Sequence, residues 1–223
     1  MSIETTRIET IIKVHLAPEL RAEGFMGSGR TFRRTRDGQI HVVNIQGSSY
    51  GGQFAINLAI QPVAVPDVLG NAPAPKKIAE SACEFRRRLS ESGADQWWRY
   101  NDQASLERAM NDAAKVYVAY GRPVFDTMSM PPSPLDTMKV EHLVEGPKEL
   151  NGFGITKVRL ALVLARLREV EGRVPEAVSF ATYGLEHAIS AFGLRSELIS
   201  AFGLRSELER IAALSHSPPN QTS

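Results

Sequence analysis

The chain has 223 residues, and 26 Lys and Arg against 25 Asp and Glu give it a formal net charge of +1. That length allows one domain or two small ones with a sizeable core, and the balanced charge argues against a grossly basic nucleic-acid binder. The single cysteine, Cys83, excludes an intrachain disulfide framework and a multi-cysteine zinc site. No apolar run approaches the roughly 18 residues of a membrane span, and residues 1–20 lack the apolar block of a secretory signal. We therefore expect a cytoplasmic protein that does not contact membranes.

The first predicted element is a helix. Apolar-face positions recur at helical spacing on Ile8, Ile11, Ile12, His15 and Leu16, a pattern typical of a helix with one buried side. Because His15 falls on that side, we expect it in the core. Pro18 ends or kinks the helix unless the chain restarts there, and Gly24 provides a stop.

Three strands are predicted next, in residues 31–36, 40–46 and 53–61. Asp37-Gly38 between the first two is a hairpin signal, because both residues tolerate the positive φ angles of a type I′ turn. In the third strand Phe54, Ile56, Leu58 and Ile60 alternate with Gln53, Ala55, Asn57, Ala59 and Gln61. We therefore predict an antiparallel meander with one apolar face under helices and one amide-rich face in solvent.

The middle of the chain carries turn signals and weaker patterns. Residues 62–75 hold four prolines and are predicted to form a loop. Residues 83–89 and 96–100 have weak strand patterns. Helical spacing returns over 106–120, and we expect Gly121 and Pro123 to end that helix.

Proline and glycine mark a composition break in residues 131–155, which we interpret as a linker or an arm that wraps the fold. After it, Thr156 is placed to cap a helix, and Pro175 suits the first turn of the next. The predicted class is thus α+β, an antiparallel meander packed against helices and followed by a C-terminal helical hairpin. Its parts are an α+β domain over 1–130, the linker, a helical hairpin and terminal helix over 156–214, and a disordered tail over 215–223.

Two repeat patterns occur in the helical half. Residues 190–198 recur letter for letter at 200–208; we interpret this as a duplication that lengthens the terminal helix, with a homodimer interface as the alternative. Gly172, Glu176, Ala177 and Leu185 resemble the second half of a tetratricopeptide repeat. One such hairpin cannot bury its own face, so it packs on the sheet or contacts a partner.

Basic, aromatic and amide residues concentrate in the predicted strands. If those strands are neighbours, arginines and tryptophans share a surface that suits single-stranded nucleic acid, although an acidic protein partner or a solvated face fits the same pattern. The amides and Ser48 favour cross-strand hydrogen bonds and turn capping. The candidate binding residues are Arg33, Arg34, Asn44, Gln46, Ser48, Asn57, Arg87, Arg88, Trp97 and Trp98.

Support for catalysis or a cofactor is sparse. Cys83 with His41 as base would be a nucleophilic pair, but nothing in the sequence brings the two together. Gly24-x4-Gly29-Arg30-Thr31 has the spacing of a phosphate-binding loop. A helix leads into it and a strand leads out, the wrong order for that loop, so we interpret it as a helix stop and a turn. No metal-ligand spacing occurs, and we expect neither metal nor cofactor.

Several segments together resemble a family of uncharacterised bacterial proteins, domain of unknown function 4304, over about residues 5–125. They are Gly24-Phe25-x4-Arg30-Thr31-Phe32-Arg33-Arg34, Val42-Val43-Asn44-Ile45-Gln46-Gly47-Ser48 and Phe54-Ala55-Ile56-Asn57-Leu58, then Arg87-Arg88-Leu89 and Trp97-Trp98. The most specific part is Asn44-x-Gln46-x-Ser48 followed by Asn57. The chain departs from the family at residues 26–29, where lysines are usual, and at Gly47, where a charged residue is usual.

The family has no established activity, so the resemblance implies a fold segment rather than a reaction. Its similarity to small bacterial domains found near toxin systems implies a protein-binding role, such as an immunity-like inhibitor. We therefore expect a non-enzymatic protein-interaction module with an unknown protein partner. Single-stranded nucleic-acid binding and an enzyme with a cryptic pocket are the alternatives.

Overall fold

The computed structural model describes residues 3–191 and 198–216. It is an α+β fold in which a six-stranded antiparallel sheet carries helices on one face and is followed by a C-terminal helical array. The predicted fold class is therefore confirmed. None of the described helices combines the length and the apolar character that crossing a membrane requires.

The sheet is a meander in the order β1-β2-β3-β4-β5, and β6 also pairs with β4. Every pairing is antiparallel. The strands are β1 (Met26–Ser28), β2 (Thr31–Arg36), β3 (Gln39–Gly47), β4 (Gln53–Pro62), β5 (Phe85–Arg88) and β6 (Trp98–Arg99). All five predicted strands are present, and the two weak patterns correspond to the shortest of them, β5 and β6.

The predicted turn between β2 and β3 is confirmed. Asp37 and Gly38 have φ angles of 49° and 72°, the left-handed values that a type I′ turn requires. The two strands pair in register from this turn to Thr31 opposite Asn44. The turn thereby decides which residues of the two strands share a face of the sheet.

The sequence pattern does not predict β1, because its residues lie in a glycine-rich segment that reads as a turn. Gly29 and Arg30 form the actual turn, and Ser28 pairs with Thr31 across it. Gly27 has a φ of 147°, and a Cβ there would lie 2.3 Å from the Thr31 carbonyl oxygen. Only glycine lets this strand approach β2 closely enough to pair.

One face of the sheet, here called the helix face, is buried under α1 (Ile3–His15), α2 (Ala17–Ala22) and α3 (Gln103–Val116). The predicted apolar alternation of β4 is confirmed, since its side chains from Phe54 to Ile60 join this core. The predicted restart at Pro18 is also confirmed, because that residue lies in the first turn of α2. His15 is only partly buried, contrary to expectation, since it is the last residue of α1.

The helix predicted over 106–120 does not end at Gly121. After α3 the chain makes a π-helical turn over Tyr117–Gly121 and continues into α4 (Arg122–Ser129). A Cβ at Gly121 would lie 2.7 Å from Tyr117 Cδ2, so glycine lets the widened turn close over the tyrosine ring. Pro123 lies in the first turn of α4, where a missing N–H is tolerated.

The second face of the sheet is only half open, which corrects the expectation of a solvated amide-rich face. Residues 63–84, here called the cover segment, bury Ile78, Ala82 and Cys83 against Ile40, Val42 and Ala59. Gln61, predicted to face solvent, is fully buried. Its amide donates to the Val65 carbonyl at 2.8 Å and its carbonyl accepts from the Glu84 N–H at 3.0 Å, so Gln61 holds both ends of the cover segment.

Residues 131–155, here called the wrapping segment, pack around the fold as an arm rather than linking two separate domains. They include α5 (Pro134–Thr137) and α6 (Val140–Glu145), and Leu135, Met138 and Leu143 enter the main core. Arg168 lies fully buried beneath them, and its Nη2 donates to the carbonyls of Leu135 and Asp136 at 2.7 and 3.0 Å. This guanidinium satisfies backbone groups of α5 that would otherwise be buried without a partner.

The last three helices are α7 (Lys157–Val170), α8 (Val174–Ala191) and α9 (Leu198–Ala212). The predicted cap is confirmed, because Thr156 Oγ1 accepts from the Arg159 N–H at 3.3 Å. The second copy of the repeated segment lies within α9, whereas the first includes residues 192–197, which are outside the described residues. A single helix through both copies therefore stays a prediction. Of the predicted tail, 217–223 also lies outside the described residues, and 215–216 belong to a 3-10 turn.

The helical array packs on the sheet and shares its core. One cluster of buried side chains runs from α1 through β4 to α7, α8 and α9. Glu84, next to β5, has a side chain that is 2% exposed, and Arg159 of α7 binds both of its oxygens at 2.7 and 3.0 Å. The two hydrogen bonds from one guanidinium replace the bonds to water that the carboxylate loses on burial.

Replacing Arg159 by Met should therefore lower the free energy of unfolding by about 3 kcal/mol, because Glu84 remains buried without a counter-ion. Urea unfolding followed by circular dichroism measures this. The control is Arg205→Met, which removes an exposed i,i+4 pair with Glu209 and should cost under about 0.5 kcal/mol. Equal effects of the two variants would contradict a role for the pair in docking α7.

Candidate functional site

The part of the second face that the cover segment leaves exposed, here called the open half, carries three of the predicted amides. Asn44 and Asn57 are opposite each other on β3 and β4. Asn57 Nδ2 donates to Gln46 Oε1 at 3.0 Å, and Asn44 Nδ2 donates to Thr31 Oγ1 at 3.0 Å. The predicted cross-strand hydrogen bonds are present, and they hold the three amides in one fixed arrangement.

An arginine and a tryptophan extend this amide row toward the edge of the sheet. Arg88 Nη1 donates to Gln46 Oε1 at 3.2 Å, and the Arg88 guanidinium lies 4.9 Å from the centroid of the Trp97 ring. Asp95 binds both residues, accepting from Arg88 Nε and from Trp97 Nε1 at 2.9 Å each. The sequence reasoning assigned Asp95 no partner, because the loop that returns it to Arg88 has no recognisable pattern.

The turn between β3 and β4 borders the open half. Ser48 Oγ accepts from the Tyr50 N–H at 3.2 Å, so Ser48 caps the turn as predicted. Tyr50 is 97% exposed. Sequence reasoning missed it, and its place in a glycine-rich loop was the available signal, since loops of this kind carry exposed binding residues.

The remaining candidate residues do not join this surface. Arg33 is on the second face but binds the Ile78 carbonyl of the cover segment at 2.5 Å. Arg34, Arg87 and Trp98 point to the helix face. The strands are neighbours, but the arginines and tryptophans do not all share one surface, because strand alternation sends adjacent residues to opposite faces.

Each inward-facing residue has an internal partner. Trp98 is buried, stacks on Phe54 at 5.7 Å between centroids and donates from Nε1 to Asp112 at 3.0 Å. Arg87 Nη1 donates to the Asn151 carbonyl of the wrapping segment. Burial of the Arg87 guanidinium lowers its pKa from the ordinary value. These contacts are structural, since none of these groups faces solvent in the open half.

Arg34 lies in a buried polar network beneath α3 and α4. Its Nη1 donates to Glu23 Oε2 at 3.2 Å, and the same carboxylate accepts from Tyr117 Oη at 3.0 Å and from Arg122 Nε at 2.7 Å. The Phe25 ring lies 4.6 Å from the Arg34 guanidinium. Burial, reinforced by the Glu23 carboxylate, raises the pKa of Tyr117, which therefore stays protonated as a donor.

His41 and Ser129 form a close pair in the same network that the sequence did not predict. Ser129 Oγ lies 2.6 Å from His41 Nε2, and Arg34 Nε donates to His41 Nδ1 at 3.0 Å. Since Nδ1 accepts, we assign the ring hydrogen to Nε2, which then donates to Ser129. In this tautomer His41 cannot take the Ser129 proton. A cation also occupies the position where a catalytic triad has a carboxylate.

Cys83 and His41 do not meet. His41 points to the helix face, whereas Cys83 is buried under the cover segment on the second face. Burial, with a contribution from Glu80, raises the pKa of the Cys83 thiol to about 12, so a nucleophilic thiolate is scarce near neutral pH. Within residues 3–191 and 198–216, no group of three His, Cys, Asp or Glu side chains could hold a metal ion.

The buried position of His41 predicts acid sensitivity. Desolvation, with smaller contributions from Arg34 and Arg36, lowers the pKa of His41 to about 3 from 6.5. Between pH 6.5 and about 3, His41 is protonated in the unfolded chain but stays neutral in the folded chain. The free energy of unfolding therefore falls as the pH drops toward 3. Between about pH 7.5 and 4.5 the wild type should lose roughly 2 to 3 kcal/mol more than His41→Gln.

Urea unfolding at the two pH values measures this difference. The glutamine carbonyl can still accept from Arg34 but does not titrate, so it isolates the histidine contribution. Equal losses in the two proteins would mean that His41 is protonated in the folded chain.

Comparison with known proteins places the sheet and its first helices in a family. The family described as domain of unknown function (DUF4304) matches residues 16–127, which covers the whole sheet, α2, α3 and most of α4. No curated protein and no solved structure matches the chain. Since the match extends over half of the 223 residues, the chain belongs to the DUF4304 family.

Proposed function

We propose that this chain is a non-enzymatic protein-interaction module that binds a protein partner through the open half of the sheet. The observation that carries the proposal is the hydrogen-bonded row of Asn44, Asn57, Gln46 and Arg88 on the second face, in which Gln46 is exposed, Asn44 and Arg88 are partly exposed and Asn57 supports them from a buried position. Such a row is already ordered before binding, so a partner would meet it at little entropic cost.

The chemistry of the row suits a protein surface. Gln46 Oε1 is occupied by Asn57 and Arg88, which leaves the exposed Gln46 Nε2 as a donor for a partner. Tyr50 adds a large exposed ring in the turn that follows β3. Tyrosine and arginine are enriched where interfaces concentrate their binding energy. An inhibitor that acts as an immunity protein would need such a fixed polar surface and no reaction centre.

Catalysis is less well supported by the groups that could perform it. His41 is held in the tautomer that donates to Ser129, and the Cys83 thiol keeps its proton.

Nucleic-acid binding is also less well supported, because the arginines that could contact phosphates are divided between the two faces of the sheet. On the open half, the Asp95 carboxylate lies against both Arg88 and Trp97 and would repel phosphate.

Gln46→Glu tests the surface without removing its internal bonds, because a carboxylate still accepts from Asn57 and Arg88. The change replaces the free donor with a negative charge, so capture of the partner should fall at least about tenfold. The measurement is quantitative mass spectrometry of proteins cross-linked to the immobilised full chain in lysate of the source cells. Gln103→Glu, the same change at an exposed site on α3, should leave capture unchanged.

A cross-linked protein that Gln46→Glu captures as well as the wild type would contradict the proposal, as would the absence of any stoichiometric protein. The nucleic-acid alternative is tested by fluorescence anisotropy with single-stranded oligonucleotides at about 50 and 200 mM KCl. Phosphate contacts predict affinity that falls steeply with salt. Salt-dependent binding that Gln46→Glu weakens would replace the protein partner with a nucleic acid.

The cytoplasmic location and a homodimer through the terminal helix stay predictions. The bacterial origin implied by the family resemblance also stays a prediction.

A further inference from the structure

The two outer edges of the sheet differ in whether another segment of the chain pairs with them. Beside β5, the Gly154 N–H donates to the Arg86 carbonyl at 2.7 Å, so the wrapping segment covers that edge. β1 pairs with β2 on one side, and no other described segment pairs with its outer side. All three β1 residues are exposed, and Met26 is 76% exposed. Exposed edge strands are where extended chains add to a sheet.

The register identifies the free backbone groups. Ser28 and Thr31 flank the two-residue turn and therefore form the hydrogen-bonded pair that closes the hairpin. The next pair, Gly27 with Phe32, is then the pair without mutual hydrogen bonds. Consequently the N–H and C=O of Gly27 point away from β2, toward the outer side of the sheet, where an added strand would find one donor and one acceptor.

A cavity of about 350 Å³ lies beside this edge, between α1 and the β1–β2 hairpin. Its apolar lining comes from Ile12, Ala17 and Phe32, which are buried core residues. Gly27 is opposite Phe32 and thus faces the helix side of the sheet, where β1 contributes no side chain of its own beside the cavity. An extended chain paired with β1 could place one apolar side chain in this cavity.

The charges around the cavity favour an acidic occupant. Lys13 and Arg21 line it, are exposed and make no ion pair with the described side chains. Glu9 also lines it, but Arg30 lies 3.9 Å away and offsets its charge. The local net charge is therefore positive, which attracts carboxylates two residues before or after the inserted residue, because these share its face of the added strand.

We propose that β1 binds an extended acidic peptide, which adds to the sheet as a strand and inserts one apolar side chain between α1 and Phe32. A second copy of this chain fits less well, because the Met26 side chain of its β1 would lie on the opposite face from the cavity. This surface is distinct from the open half, so either proposal can fail without the other.

Selection from a displayed library of random peptides against the immobilised full chain tests the proposal. The expected peptides carry one apolar residue flanked by Asp or Glu at alternate positions, without proline. Fluorescence anisotropy with the enriched peptides should show affinity losses of at least about tenfold for the double variant Lys13→Glu/Arg21→Glu and for Thr10→Phe, which fills the cavity from its rim.

Arg108→Glu/Lys115→Glu, a double reversal of exposed charges on α3, should bind like the wild type. Bound peptide should also slow hydrogen exchange at the Gly27 amide. Enrichment of basic or proline-rich peptides, no enrichment, or binding unaffected by the cavity and charge variants would overturn the proposal. So would a dimer in solution that Met26→Lys abolishes, since a second copy would then occupy β1.

Discussion

Strand alternation is the constraint on which the rest of this structure depends. Three pairs of adjacent residues, Arg33-Arg34, Arg87-Arg88 and Trp97-Trp98, lie on or beside strands of one sheet, and each pair is divided between its two faces. The alternation has period two, so no local adjustment short of a bulge can place both members of a pair on one side. Residues that look like one basic and aromatic surface in the sequence are therefore divided in two. Arg34, Arg87 and Trp98 form an internal set on the helix face, and their neighbours form an external set on the second face, which also carries the amides.

The internal set connects the sheet to the helices that follow it. Arg34 meets the Glu23 carboxylate, which Tyr117 and Arg122 also bind, and this brings the end of α2 and the π-helical turn to one point. Arg87 holds the wrapping segment in the same way. A buried guanidinium costs more free energy than it contributes unless it is hydrogen-bonded, so Arg34 fixes the position of Glu23 and Arg87 fixes the path of the backbone at Asn151.

The external set makes fewer contacts with the rest of the chain. Its amides and Arg88 are ordered by one another, and the cover segment and wrapping segment leave Gln46 and the β1 edge exposed. A fold that closes one edge and half of one face, and leaves the β1 edge accessible, supports the proposed role in recognition. The polar network around His41 does not compete with this role, because its tautomer and its burial make it part of the core.

Local patterns in the chain were sufficient for the meander, its Asp37-Gly38 turn, the apolar face of β4, the restart at Pro18 and the cap of α7, since each depends on residues close in sequence. They were not sufficient for the cover segment over Ala59, the paths past Gly27 and Gly121, or the Arg88–Asp95 and Glu84–Arg159 pairs. The cover segment and the Glu84–Arg159 pair depend on contacts between residues far apart in the sequence, whereas the turns at Gly27 and Gly121 and the loop between Arg88 and Asp95 are local but match no recognised pattern. The same limit explains why ten candidate binding residues could be named but not sorted: sorting them requires the register and the layers packed on each face.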